Sequence, residues 1–157
     1  MAEVCMENYD PKFSSIAIPG DILVSGFNFG CGSSREQTSY FILARNIPLV
    51  VAGSFGNIFS RNSINNGLMG LVVPKLIRRL QSRFTSGGGD TATRKAIVTS
   101  HRMDISLDVK KSQIEVLTGG AGGKRWIEKV GELPPNVQEI IANGGLGKWV
   151  QTKIAVA

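Results

Sequence analysis

Residues 26–37 read GFNFGCGSSREQ: a glycine-rich bend, then two serines, an arginine and a glutamate. Gly30 and Gly32 let the backbone take conformations that residues with a Cβ reach only at a cost. Ser33 or Ser34 can cap a following helix by accepting a bond from a free backbone N–H. The start of such a helix offers unpaired N–H groups and the positive end of the dipole, which favour an anion. Arg35 adds a permanently charged fork that matches a carboxylate or a phosphate. The run reads as an anion site with a hydroxyl inside it. Glu36 reads as a helix-start carboxylate or the partner of a basic neighbour. A Gly/Ser loop that only caps a helix is the structural alternative, and the local pattern alone does not separate the two.

Other chemically capable residues carry less. Cys31 sits in the bend, where packing or close backbone access explains it better than ligation. Arg61, Asn62, Asn65 and Asn66 lie in a second polar segment and could line a cleft or bond to the first loop. His101 stands beside Arg102 with no Cys, Asp or second His at ligand spacing, so it reads as exposed or locally bonded. Two cysteines, Cys5 and Cys31, are too few for a disulfide framework or a metal cluster, and a reducing compartment is the default.

The elements that must hold the bend are αβ-like in the first half. DILVS at 21–25 suits a short strand, and residues 34–45 suit a helix that offers Tyr40, Phe41, Leu43 and Ala44 for packing. PLVVAGS at 48–54 is almost wholly apolar, as a strand covered on both faces is. Residues 56–66 suit a second helix with Gly67 as its stop, and LMGLVVP is another apolar strand. Pro74 then opens the basic helix PKLIRRLQSRF, with Leu76, Ile77, Leu80 and Phe84 on one face. TSGGGDTAT at 85–93 predicts a flexible break. Beyond it, DISLDV at 104–109 and QIEVL at 113–117 alternate as half-buried strands do. TGGAGG at 118–123 is a second loop, and the tail reads as two short helices divided by Gly144–Gly145.

NFGCGSSRE at 28–36 and GSFGNIFSRNSINNGL at 53–68 together resemble the swivelling fourth domain of the aconitase superfamily, most strongly its fungal homoaconitase branch. The resemblance runs from MAEVCMENYDPKFSS to WIEKVGELPPNVQEIIANGG, almost the whole chain. It implies an α/β fold, the superfamily's swivelling β/β/α domain, with a central mixed sheet and flanking helices. It implies one such domain over 1–157, lacking the beginning of the full family domain. The implied activity is that of a hydro-lyase acting on a small tricarboxylic or related acid. By the same resemblance Ser33 is the catalytic base, and Ser34 and Arg35 bind substrate. The implied cofactor is a [4Fe–4S] cluster ligated outside this chain, on cluster-bearing domains or a large subunit. The implied location is the mitochondrial matrix, with the cytoplasm otherwise. Fungal members are fused chains and Met1 aligns inside that longer pattern, so a fragment, a truncated product or a separate subunit is expected. TSYF at 38–41 departs from the small, alanine-rich residues usual there, and Met69–Gly70 replaces Leu-Leu or Leu-Pro.

Composition bounds these readings. The chain has 157 residues, 42% of them hydrophobic and 19% charged, which suits one folded domain and argues against disorder. No apolar run approaches the roughly 20 residues of a membrane helix. The opening residues carry Glu3, Glu7 and Asp10, unlike a secretory signal or an arginine-rich transit peptide. A net charge of +6 suits acidic small substrates, nucleic acid or an acidic protein partner. Nucleic acid is the less favoured of these, since no aromatic–basic interleaving accompanies the charge. Two alternatives to the homoaconitase-type domain remain open: a 3-isopropylmalate dehydratase small-subunit-like domain, and a non-catalytic anion- or RNA-binding module.

Overall fold

Leu49–Ala52 forms the strand β2, and all four of its residues are buried. The computed structural model describes residues 13–32, 37–85, 103–109, 111–118 and 124–156. β2 lies between β1 (Ile22–Ser25) and β3 (Met69–Val72), parallel to both. The register aligns Ile22, Leu49 and Met69, and keeps step to Ser25, Ala52 and Val72. Parallel neighbours need crossover connections. These are α2 (Gln37–Ala44) and α3 (Asn57–Asn65). A single helical turn, α1 (Phe13–Ile16), precedes β1.

Alternation along β2 divides the core in two. Val50 joins Ile42 of α2, Phe59 of α3, Ile47 and Leu68. Leu49 and Val51 join Leu71, Val73 and the apolar side of α4 (Pro74–Thr85), which supplies Leu76 and Leu80. Leu76, Ile77 and Leu80 are buried while Lys75, Arg78 and Arg79 are exposed, as helical spacing requires. Each such buried side chain contributes about 1.5–3 kcal/mol of hydrophobic stabilisation.

The same core is closed by a second sheet. Strands β4 (Asp104–Asp108), β5 (Gln113–Thr118) and β6 (Lys124–Lys129) pair antiparallel in the order 4-5-6. Ile114, Val116 and Trp126 face inward, while Glu115 and Arg125 pair outside at 2.6 Å. The mixed character expected from the sequence is thus divided between one parallel and one antiparallel sheet. β6 and α1 had no prediction. Arg79 is more than a solvated charge, since its guanidinium stacks 4.5 Å over Trp126 and reaches Glu128 at 3.5 Å. The expected break at 85–93 lies outside the described residues, apart from Thr85 at the end of α4.

α5 (Pro135–Ala142) and α6 (Leu146–Val156) complete the chain as the two predicted short helices. α3 and α5 end alike. Leu68 N–H bonds the Ser63 carbonyl at 2.8 Å, and Gly67 N–H bonds that of Ile64 at 3.0 Å. Gly145 and Gly144 repeat the pattern on Ile140 and Ile141, both at 2.9 Å. These are Schellman ends, which need a left-handed residue. Gly67 (φ 79) and Gly144 (φ 76) supply it. The two ends dock on each other. A Cβ on Gly67 would fall 2.7 Å from the Gly144 carbonyl carbon, and one on Gly145 2.5 Å from the Asn65 oxygen.

Candidate active site

The loops at the carboxyl ends of β1 and β2 are joined to one another. Gly53 N–H donates to the Gly26 carbonyl at 2.9 Å, Phe29 N–H to that of Ser54 at 3.0 Å, and Gly56 N–H to that of Phe29 at 2.8 Å. A parallel bridge pairs Phe29 with Phe55. Side chains add to this: Ser54 Oγ accepts the Asn28 N–H at 2.8 Å and donates to Asn28 Oδ1 at 3.3 Å. Beneath the bend, Phe29, Phe55 and Phe59 form an aromatic cluster, with Phe29 edge-on to Phe59 at 5.0 Å.

Two glycines permit this packing. Gly30 has φ 77, and a Cβ there would lie 2.5 Å from Phe59. A Cβ on Gly56 would lie 2.9 Å from the Cys31 backbone. The bend therefore rests directly on the start of α3, whose N-cap, Gly56, makes no side-chain cap. In open α/β sheets, ligands bind outside the carboxyl ends of the strands. The glycine bend occupies that edge.

Ser33, Ser34, Arg35 and Glu36 lie outside the described residues; the chain is described up to Gly32 and again from Gln37, where α2 begins. His101 also lies outside them. Cys31 is exposed and free, and its backbone, not its thiol, makes the close approach to Gly56. The second polar segment is turned elsewhere: Asn66 Nδ2 donates to Ser39 Oγ of α2 at 2.7 Å, the Asn65 carbonyl meets Gly145, and Arg61 is exposed. The contact between the second segment and the bend is made instead by Ser54, Phe55, Gly56 and Phe59.

Sequence reasoning passed over Asn28 and Arg78. Asn28 has φ 57, and its position before a glycine bend was the available signal. Arg78 sits 5.8 Å over the ring of Phe27, which is 41% exposed. It adds a cation beside the carboxyl edge. Among the described residues no group of three His, Cys, Asp or Glu could hold a metal ion. An iron–sulfur cluster takes several thiolates, and Cys31 is a single thiol, so the described residues do not fit such a group. No described helix is long and apolar enough to cross a membrane. A pocket of ≈ 340 Å³, lined by Leu71, Leu107, Val109, Ser112, Val130 and Glu132 among others, contains none of the bend's residues.

A parallel three-stranded layer with a glycine bend on its carboxyl edge, backed by an antiparallel sheet, defines an α/β domain. Residues 4–76 match the family model of the aconitase C-terminal domain. The chain belongs to the aconitase C-terminal domain family. It is 65% identical over 154 residues to the mitochondrial homoaconitase of Emericella nidulans, covering 98% of this chain and 19% of the relative. It is 61% identical over 157 residues to that of Chaetomium globosum, covering 100% of this chain and again 19% of the relative. The crystal structure of 3-isopropylmalate dehydratase from Methanocaldococcus jannaschii superposes with a TM-score of 0.72 at 30% identity. That match covers 99% of this chain and 77% of the other. The chain spans about a fifth of the length of the curated homoaconitases it matches.

Proposed function

We propose that the chain is the swivelling catalytic domain of a homoaconitase-type hydro-lyase, which hydrates cis-homoaconitate to homoisocitrate in lysine biosynthesis. The observation that carries this is the 61–65% identity to homoaconitases along nearly the whole chain, both site loops included. The 30% identity to an isopropylmalate dehydratase supports the hydro-lyase class and favours the homoaconitate substrate over its rival. The cluster-bearing domains lie elsewhere in the complete enzyme and supply a [4Fe–4S] group. Its homoaconitase relatives are mitochondrial by name, which supports a mitochondrial location.

In this reading Ser33 is the acid–base group and Arg35 grips a substrate carboxylate, with Ser34 beside them. In the dehydration direction Ser33 takes a proton from the carbon next to a carboxylate. In the hydration direction the Ser33 hydroxyl gives that proton to carbon, the hydroxide from water joins the adjacent carbon, and the water's remaining proton restores the Ser33 hydroxyl. A serine alkoxide is too unstable in water to serve unaided. A helix start and a guanidinium supply positive potential, and closure against the cluster-bearing domains excludes solvent. Arg35 binds through two parallel N–H bonds, a grip that lysine lacks.

The test uses the full-length enzyme, or this chain assembled with a cluster-bearing partner. Ser33→Ala lowers kcat for cis-homoaconitate by at least about 100-fold while KM stays within about twofold. The isolated chain shows no hydratase activity. Near-wild-type turnover in Ser33→Ala refutes the base, and preferential turnover of isopropylmalate by the wild type refutes the substrate.

A further inference from the structure

We propose that Asn28 and Ser54 are positioning residues for the hydration step, a side-chain latch that aims the glycine bend. The proposal rests on the reading of the domain as a hydro-lyase with Ser33 as its base.

Ser54 bonds through both its side chain and its carbonyl at this latch. Its Oγ accepts the Asn28 N–H at 2.8 Å and its proton points to Asn28 Oδ1 at 3.3 Å, while its carbonyl accepts the Phe29 N–H at 3.0 Å. One hydroxyl can donate once and accept twice, so both side-chain roles are compatible. Asn28 is held at φ 57, and its own carbonyl accepts the Cys31 N–H at 3.2 Å. The bend is thus tied at three backbone N–H groups, two on Ser54 and one on Asn28.

The side-chain bonds are exposed. Water competes for them, so each contributes little to folding. The buried anchoring of the two loops is provided by the Phe29, Phe55 and Phe59 cluster. What the latch adds is direction: it ties the Asn28 N–H beside the backbone bonds at Phe29 and Cys31, at the start of the bend that leads toward Ser33. Proton transfer is sensitive to such aim, and a misplacement of about 1 Å can cost about 100-fold in rate.

The experiment compares Ser54→Ala and Ser54→Thr with wild type and Ser33→Ala in the full-length or assembled enzyme. Ser54→Ala is expected to lower kcat about 10- to 100-fold with KM within about twofold. Ser54→Thr keeps the hydroxyl and restores kcat to within about threefold of wild type. Amide exchange at Asn28, read without turnover, accelerates in Ser54→Ala alone. Wild-type kcat in Ser54→Ala overturns the latch, as does a loss that threonine does not restore or one that parallels a loss of folded enzyme. An inactive Ser33→Ala beside a fully active Ser54→Ala defeats the latch only. An active Ser33→Ala beside a slow Ser54→Ala defeats the base assignment and, with it, the claim that the latch aims Ser33. A wild-type enzyme without hydratase activity defeats the hydro-lyase reading and, with it, the positioning role.

Discussion

Gly30→Ala and Gly32→Ala, two residues apart in one bend, should behave oppositely. At Gly30 the backbone is left-handed, with φ 77, and the added methyl would fall 2.5 Å from both Cβ and Cγ of Phe59. The left-handed conformation costs an L-residue roughly 1–2 kcal/mol. Overpacking a filled core adds about 1–3 kcal/mol. Phe59 has little room to yield, being 4% exposed and in contact with Phe29 and Phe55. The sum is about 2–5 kcal/mol, and in a domain of this size about 1 kcal/mol moves Tm by roughly 2–4 °C. Gly30→Ala should therefore lower Tm by about 5–15 °C. At Gly32 the new methyl meets nothing within 4 Å, so Tm should stay level or rise slightly. Thermal melts followed by far-ultraviolet circular dichroism give both values. Equal melting of the two variants would refute the claim that the bend rests on α3 through Gly30.

Gly145→Ala should destabilise by about 2–4 kcal/mol, because its φ is 114 and its Cβ would meet the Asn65 carbonyl at 2.5 Å. Urea unfolding measures this, and Gly147→Ala, with open space around it, is the neutral control. Glu139 accepts the Trp149 indole N–H at 3.0 Å and pairs with Lys153 at 3.3 Å, and these, the indole bond first, hold its carboxyl below the ordinary value. A depressed carboxyl contributes stability that is present above its unfolded pKa and lost as pH falls through the folded one. Glu139→Gln should flatten the acid limb of the stability–pH curve, and an unchanged limb would show that the α5–α6 contact is not linked to this titration.

Much of the parallel layer was legible because its signals are local and agree. An apolar run made β2, Gly67 stopped α3, and Pro74 opened α4 as expected. β6 escaped because KRWIEK carries four charges in six residues, and its membership depends on pairing with β5, a non-local event. The asparagines at the end of α3 are polar residues in a suggestive segment, but the C-cap Asn66 turns to Ser39 of α2. Ser54 was hidden for the opposite reason. It sits 26 residues from Asn28 in a strand-end loop, and only the adjacency of two parallel strands brings the pair together.

The docked helix ends give α3 a mechanical role. Its first turn carries Phe59 under Gly30, and its last residues bear on Gly145. Nine residues make a rod of about 13 Å. Peptide backbone meets peptide backbone at the far end, with no long side chains to absorb displacement. A push on the final helical pair therefore travels along α3 to the aromatic bed of the bend. The glycine bend and the last two helices lie at opposite ends of one helix, so substitutions on α6 can reach the bend without touching it.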